Sequence, residues 1–246
     1  MNLLSSPAYL IITHGSSNPK SQASTQTFLQ ILQSHLPNAQ LFHAQLEGAD
    51  QPLHQQILHF TQQSRTQGTD RLYILPLFLI PGVHIMEDLP QEVALAQQTL
   101  ALTDPSFKLS TLPYLGQHIH NHLHLFPTSS AQRLLLTHGS NRPESLKVIE
   151  ALAQTLNATP AYWSIEPSLS TQLQTLTQQG HNHIHILFNF LFPGTITDKL
   201  NDIIQAHIQQ NPNQTITTTA PFASLPAFQS LVAQILETTS HAEPRI

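Results

Sequence analysis

An internal repeat constrains the fold of this chain more than any other feature of its sequence. The segment YLIITHGSSNP, which contains His14, recurs as RLLLTHGSNRP around His138. Three further pairs of similar segments follow in the same order: 40–57 with 160–173, 72–82 with 184–194, and 112–119 with 220–227. The first of these pairs matches Glu47 to Glu166. The repeat predicts two homologous domains, at residues 1–128 and 129–246, with a disordered tail from about residue 238.

The apolar pattern of each half indicates alternating strands and helices. The run from Tyr73 to Ile80 is apolar at nearly every position, which is typical of a parallel strand covered on both faces. Helical spacing of apolar residues follows the first strand of each half. The sequence therefore predicts the α/β class, with two homologous parallel-sheet domains that carry helices on both faces.

The composition narrows the classes of partner. The chain has 9 Lys and Arg against 14 Asp and Glu, without a basic run, so we expect neither nucleic acid nor a membrane as a partner. No charged leader precedes an apolar segment, and no stretch reaches the ~18 apolar residues of a membrane span, which favours a cytoplasmic protein. The chain contains no cysteine, so any metal must be held by nitrogen or oxygen.

Three side chains of metal-binding type are predicted at one edge of the first sheet. His14 ends the first strand, Glu47 ends the second, and His84 follows the third. Because the carboxyl ends of parallel strands share one edge, these side chains are candidates for a site that suits Co²⁺, Fe²⁺, Ni²⁺ or Zn²⁺. Two simpler readings stay open: Glu47 could cap the following helix, and either histidine could be an ordinary loop residue.

The segment from Pro76 to Pro90 follows the pattern PLFLxxGxHxxxDLP and comes after THGS and QLEGADQPL. With these motifs the chain resembles the class II chelatases that insert a divalent metal into sirohydrochlorin, including their long forms with two homologous halves. The resemblance implies chelatase-like domains facing each other across a cleft, with His14, His84 and Glu47 as catalytic and metal-handling residues. It also implies a tetrapyrrole partner, Co²⁺ or Fe²⁺ (with Ni²⁺ as a further option) as a substrate, and no organic cofactor.

The carboxylates of a tetrapyrrole substrate require cationic side chains or hydrogen-bond donors that bind them. Lys20 and Arg142 lie just beyond the two THGS turns and are the best cationic candidates. The backbone around Gly15, Ser16, Ser17 and Gly82 is the other candidate, since amides before a helix can bind carboxylates. The serine hydroxyls could equally be helix caps, and we favour that interpretation.

The second half lacks an imidazole where the first half has His84. An ungapped comparison places Ile196 there, so we expect a single active site, in the first half. His138 and Glu166 would then be remnants or wall residues. The internal duplication could replace the homodimer of a shorter relative, which predicts a monomer.

The sequence bears differently on the alternative functions. An α/β hydrolase is excluded by the lack of a GxSxG segment. A non-catalytic metal or tetrapyrrole carrier, and a chelatase for another tetrapyrrole, stay as alternatives. The sequence does not choose between cobalt, which would indicate cobalamin synthesis, and iron, which would indicate sirohaem synthesis. Metal storage by the histidine tracts at 118–124 and 181–185 is disfavoured against simple surface substitution.

Overall fold

The structure is a computed structural model that describes residues 6–119, 122, 125–127 and 129–242. Its elements repeat in the order that the sequence predicts, strand then helix, through both halves. The first half contains β1 (Ala8–Thr13), α1 (Pro19–His35), β2 (Gln40–Gln45), α2 (Leu53–Thr66), β3 (Arg71–Pro76), a π-helical turn (His84–Asp88), α3 (Leu89–Thr103), β4 (Lys108–Thr111) and α4 (Leu115–Ile119). The second half contains β5 (Gln132–Thr137), α5 (Pro143–Thr155), β6 (Thr159–Tyr162), α6 (Leu169–Gln178), β7 (His183–Phe188), α7 (Thr195–Gln210), β8 (Thr215–Thr218), a 3₁₀ turn (Phe222–Ser224) and α8 (Pro226–Ala242).

Each half forms its own four-stranded parallel sheet. The strand orders are β2-β1-β3-β4 and β6-β5-β7-β8, so the first strand of each half lies between the second and the third. All six strand pairings are parallel, which confirms the predicted α/β class with two repeated domains. This strand order is what places the ends of three strands side by side.

Helices cover both faces of the first sheet because its strands are apolar on both faces. Leu10 and Ile12 of β1 belong to a core with Leu53 and Ile57 of α2 and residues of α3. Tyr9 and Ile11 point to the opposite face and are equally buried. In the second half, α6 and α7 form the corresponding core with β5, β6 and β7.

The compact units differ from the predicted sequence halves at the C-terminal helix. One unit comprises residues 6–118 together with α8, and the other runs from Ile119 to Leu225. Helix α8 packs on α1 and β3, with the rings of Phe28 and Phe228 5.8 Å apart. The sequence shows that α8 has an apolar face but not which sheet that face covers, so the predicted division at 128/129 describes the repeats rather than these units.

The expected disorder from about residue 238 is not what the described part of the tail shows. Helix α8 continues to Ala242, and the hydroxyls of Thr238 and Thr239 donate to the carbonyls of Gln234 and Ile235 one turn earlier. The remaining part of that prediction, residues 243–246, lies outside the described residues. None of the described helices has the length and apolar character that crossing a bilayer requires.

Of the two histidine tracts, the second lies away from the carboxyl ends of the strands in its sheet. His118 belongs to the short helix α4, while His120 and His124 lie outside the described residues. His183 and His185 are at the amino-terminal end of β7. As predicted, that end is opposite the carboxyl ends of the strands, where a ligand site of this fold is expected.

Candidate metal-binding site

Three adjacent strands deliver the predicted ligands to one place. His14 follows β1 directly, Glu47 lies two residues after β2, and His84 lies beyond β3 at the start of the π-helical turn that leads into α3. The backbone ties the first two together, because the Glu47 amide donates to the His14 carbonyl at 2.9 Å. Their proximity therefore follows from strand order and from the parallel register.

We call His14, Glu47 and His84 the His–Glu–His cluster. The Nε2 atoms of His14 and His84 are 3.1 Å apart, and the Glu47 carboxylate lies 3.7 Å from the first and 3.8 Å from the second. Ligand atoms about 2.0–2.2 Å from one tetrahedral ion are roughly 3.3 Å from each other, so these separations fit a shared ion. Among the described residues, this is the one group of three such side chains with ligand atoms close enough to hold a metal.

The hydrogen bonds of the two imidazoles favour lone pairs at both Nε2 atoms. Nδ1 of His84 lies 2.8 Å from Oδ2 of Asp88, and Nδ1 of His14 lies 3.2 Å from the Gly15 carbonyl. Both oxygens only accept in these pairs, so we assign the hydrogen of each neutral ring to Nδ1. The two lone pairs then face each other at 3.1 Å and repel unless a proton or a metal ion lies between them. This arrangement favours a cation between the two rings, and the role of the cluster as a metal site stays a prediction.

The cluster is open enough for exchange. The side chains of His14 and Glu47 are 50% and 57% exposed, and that of His84 is 33% exposed. An ion held by two imidazoles and one carboxylate keeps at least one coordination position for water or another ligand. This arrangement permits binding and release, in contrast to a closed structural site.

Gly15 is required by the close approach of two loops. Its φ of +97° lies in the left-handed region, and a Cβ atom there would lie 2.0 Å from the Glu47 carbonyl oxygen. Any larger residue would push the Glu47 loop away from His14. The glycine thus acts through the backbone, whereas our prediction placed it among the substrate-binding residues, a role that stays a prediction.

The π-helical turn that carries His84 has a local cause in Pro90. This residue has no N–H for the Met86 carbonyl four residues earlier, and its ring crowds that carbonyl. The backbone instead closes a wider turn, in which the Leu89 amide donates to the His84 carbonyl. Single π turns inside helices are frequent at functional sites.

The other predicted substrate-binding residues lie around the same turns. Asn18, which the prediction missed, caps α1 by accepting from the amides of Lys20 and Ser21. Ser16 accepts from the Asn18 amide, and Ser17 is exposed. The favoured interpretation of Ser16 and Ser17 as caps of α1 is therefore wrong. Asn18 is the cap, because its side chain reaches the N2 and N3 amides.

Lys20, Gly82 and Arg142 have separate positions. Lys20 is exposed in the first turn of α1, and the Gly82 carbonyl accepts from the amides of Ile85 and Met86. Arg142 precedes α5 in the second unit, where its amide donates to Ser140. Their role in substrate binding stays a prediction.

Not every imidazole near the site edge can serve as a ligand. His43, on β2, is paired with Ile11 in the strand register and forms a 2.9 Å hydrogen bond to the Thr13 hydroxyl. Burial lowers the pKa of His43, which favours its neutral form, and the ring is held within the sheet by the bond to Thr13. The ligand candidates differ from it by following the strands rather than lying inside them.

The second unit shows which residue truly corresponds to Glu47, and it corrects the predicted match to Glu166. The Ser164 amide donates to the His138 carbonyl at 2.9 Å, as the Glu47 amide does to His14. Glu166 lies two residues further on, where its carboxylate accepts from the Ser168 amide and the Thr171 hydroxyl. The match by residue identity was wrong because the loop after β6 places its carboxylate at the start of α6.

The predicted lack of a second imidazole fits the backbone of the second unit. The Asp198 amide donates to the Gly194 carbonyl as the Met86 amide does to the Gly82 carbonyl, so Ile196 holds the position in its unit that His84 holds in the first. Ile196 packs against the apolar core of its unit. Of the three positions of the cluster, the second unit retains only the histidine, His138, whose Nδ1 faces the Gly139 carbonyl at 3.2 Å.

Comparison with known proteins agrees with this architecture. The sequence model of the CbiX family matches residues 8–123 and 132–239. The chain is similar to SirB from Bacillus subtilis with Fe³⁺, with a TM-score of 0.76, 19% identity and 96% of each chain covered. It is also similar to the sirohydrochlorin chelatase SirB from Bacillus subtilis subspecies spizizenii in complex with cobalt, with a TM-score of 0.72, 18% identity and 95% of each chain covered.

A third similar structure is CbiX, described as the terminal enzyme for biosynthesis of siroheme in denitrifying bacteria. Its TM-score is 0.61 at 19% identity, over 94% of this chain and 98% of that one. None of the curated proteins matches the sequence. At these identities the solved structures show a shared fold, whereas the family model covers both repeats. The resemblance seen in the sequence is confirmed, and the chain belongs to the CbiX family.

Proposed function

We propose that this protein is a lyase that inserts a divalent metal ion, Co²⁺ or Fe²⁺, into sirohydrochlorin. The observation that carries the proposal is the His–Glu–His cluster, with its facing Nε2 atoms 3.1 Å apart and a carboxylate within 3.8 Å of both. The solved structures that this chain resembles include SirB with Fe³⁺ and the sirohydrochlorin chelatase SirB in complex with cobalt. Membership of the CbiX family supports the same reaction class.

The chemistry of metallation matches what these side chains supply. Two pyrrole N–H protons must leave the macrocycle while the ion loses its other ligands and enters. In the proposal, His14 and His84 bind the ion through Nε2, and Glu47 balances part of its charge. As the ion moves to the pyrrole nitrogens, the vacated imidazole and carboxylate groups accept the protons, because imidazole titrates near neutral pH.

We also propose that loop residues which follow the strands bind the macrocycle. We assign substrate binding to Gly15, Ser16, Ser17, Lys20, Gly82 and Arg142. Lys20 and Arg142 provide positive charge for the substrate carboxylates, and Gly82 leaves open space where a Cβ would otherwise be. A monomeric state and a cytoplasmic location complete the proposal, the first because the duplication can replace a dimer.

The test is anaerobic mixing of the purified protein with sirohydrochlorin and either Co²⁺ or Fe²⁺, followed by visible absorption. We expect one of the ions to be inserted at least about 100-fold faster than without protein, over many turnovers per chain. His84→Ala should lose this acceleration. A carrier, the alternative, would give at most one equivalent of product per chain, and no acceleration with either ion would refute the enzyme.

A further inference from the structure

Asp88 contacts the cluster through its carboxylate but does not belong to the three candidate ligands. Its Oδ2 lies 2.8 Å from Nδ1 of His84, on the side of the ring away from the facing Nε2 atoms. The two residues are four apart in sequence and share one side of the π-helical turn. The contact is therefore built into the same local structure that presents His84.

We infer that Asp88 is a positioning residue for metal binding by His84, an inference that rests on the proposed function. The carboxylate accepts the Nδ1–H, so it holds the hydrogen at Nδ1 and leaves the Nε2 lone pair directed at the ion. A carboxylate in this place also fixes the rotation of the ring and increases the basicity of Nε2. Asp88 does not touch the metal and is not a ligand.

The two imidazoles of the cluster need this help to different degrees. His14 follows a central strand directly, and its Nδ1 already faces the neighbouring Gly15 carbonyl. His84 stands in a turn eight residues beyond the end of β3, so its backbone is not fixed by the sheet. The stronger, charge-assisted hydrogen bond is found on the ligand that the sheet does not hold.

A comparison of the two units shows how the turn makes room for Asp88. In the first unit the buried positions Ile85 and Leu89 are four residues apart, whereas in the second unit Thr197 and Leu200 are three apart. The π-helical turn therefore accommodates one residue more than the start of α7. With this extra residue, the fully buried Leu200 corresponds to Leu89, and the residues between Ile196 and Leu200 do not repeat the four-residue spacing of His84 and Asp88. The second unit thus lacks both the imidazole and the carboxylate that orients it.

The test measures Co²⁺ binding to the full chain, without tetrapyrrole, in wild type, Asp88→Ala and Asp88→Asn. Loss of the acceptor in Asp88→Ala should weaken Co²⁺ binding about 10–100-fold. Asp88→Asn keeps an acceptor oxygen and should lose less than about tenfold. Glu87→Gln removes the same charge one residue earlier in the turn and is the matched control, with an expected change of about twofold or less.

A second measurement reports orientation independently of affinity. In histidine-¹⁵N-labelled protein at mildly alkaline pH, the nitrogen shifts of His84 should show the Nδ1–H form in wild type and in Asp88→Asn. In Asp88→Ala they should move toward the Nε2–H form. A purely structural role for Asp88 would change the melting temperature without this change of tautomer, and that result would overturn the inference.

The outcomes separate this inference from the proposed function. Wild-type affinity in Asp88→Ala, together with lost binding in His84→Ala, would overturn the role of Asp88 and leave the metal site intact. Equal losses in Asp88→Ala, Asp88→Asn and Glu87→Gln would show that only net charge matters, and would also overturn it. If wild type failed to bind Co²⁺, or His84→Ala bound it unchanged, the metal site and the inference would both be wrong.

Discussion

The two units share a backbone plan but differ in two of the three side chains at the cluster positions. Both have the same parallel strand order, a histidine after the first strand, and a left-handed glycine next to it, Gly15 or Gly139. The first unit adds Glu47 and His84, whereas the second has Ser164 and Ile196 at these places. The comparison teaches that the repeated fold supplies the three positions, and that only the first unit has a side chain of metal-binding type at each of them.

The largest expected effect on the rate of metal insertion comes from replacing His14, and the histidine that the repeat aligns with it, His138, provides the control. His14→Ala should lower the rate of metal insertion by at least about 100-fold, because it removes a ligand and a proton acceptor at once. His138→Ala, the matched control, lies in a unit with neither partner and should retain most of the rate. Initial rates of sirohydrochlorin metallation measure both, and the reverse result would assign the working site to the second unit.

A gain of function would sharpen the comparison further. Ser164→Glu combined with Ile196→His should give the second unit a second set of two imidazoles and one carboxylate, with His138. We expect equilibrium dialysis to find two Co²⁺ ions per chain instead of one. The new site should bind about 10–100-fold more weakly than the first, since no carboxylate orients the new imidazole.

The single variants control this experiment, because each gives His138 just one additional ligand. They should bind no second ion in the same range of concentration. If the double variant kept its circular dichroism spectrum but bound one ion, the three side chains would not be sufficient, and the difference between the units would lie in their backbones.

A smaller effect, on stability and on Co²⁺ binding, is expected at Gly15, where the backbone approaches the Glu47 carbonyl closely. Gly15→Ala should lower the free energy of unfolding by about 1–3 kcal/mol, since it combines a left-handed φ with a contact to the Glu47 carbonyl. It should also weaken Co²⁺ binding, because Glu47 must move. Gly48→Ala has a similar φ of +75° with nothing within 4 Å of the added Cβ, so we expect strain of about 1 kcal/mol and normal binding.

Urea unfolding and Co²⁺ titration of these two variants separate strain from displacement. Equal losses of stability, with equal affinities for Co²⁺, would show that the close approach of Gly15 to the Glu47 loop does not hold the cluster together.

Sequence patterns predicted much of the site because parallel strands end at one edge. His14, Glu47 and His84 were found as strand-end residues, and the strand order, which no sequence pattern specifies, then placed β1 between β2 and β3. Their convergence is a structural fact, while their role as ligands stays a prediction. What the sequence missed depended on local backbone geometry rather than on residue type.

Two such misses are instructive. The spacing of His84 and Asp88 was visible in the sequence, but their contact depends on a π-helical turn that follows from Pro90 and from the packing of Ile85 and Leu89. Glu166 was matched to Glu47 by identity, although strand hydrogen bonds place Ser164 at that position. Counting residues from the last strand hydrogen bond would have found the correct partner.

The smallest expected effect is a change of melting temperature. It distinguishes two exposed glutamates, because Glu166 binds the start of a helix whereas Glu47 faces two histidines. The Ser168 amide and the Thr171 hydroxyl bind the Glu166 carboxylate, and they lower the pKa of Glu166 below its ordinary value of 4.5. The charged form is therefore favoured in the folded protein. Its contribution to stability is fully present above pH 4.5 and is lost as the pH falls through the lowered folded-state pKa.

Glu166→Gln should therefore lower the melting temperature by about 2 °C at neutral pH, and the difference from wild type should shrink in acid. Its Co²⁺ affinity should be unchanged. Glu47→Gln should behave in the opposite way, with weaker Co²⁺ binding and little change in melting temperature, because Glu47 faces His14 and His84 rather than a helix start. If Glu166→Gln weakened Co²⁺ binding as much as Glu47→Gln, both carboxylates would act on the ion, and the functional contrast between the two units would be wrong.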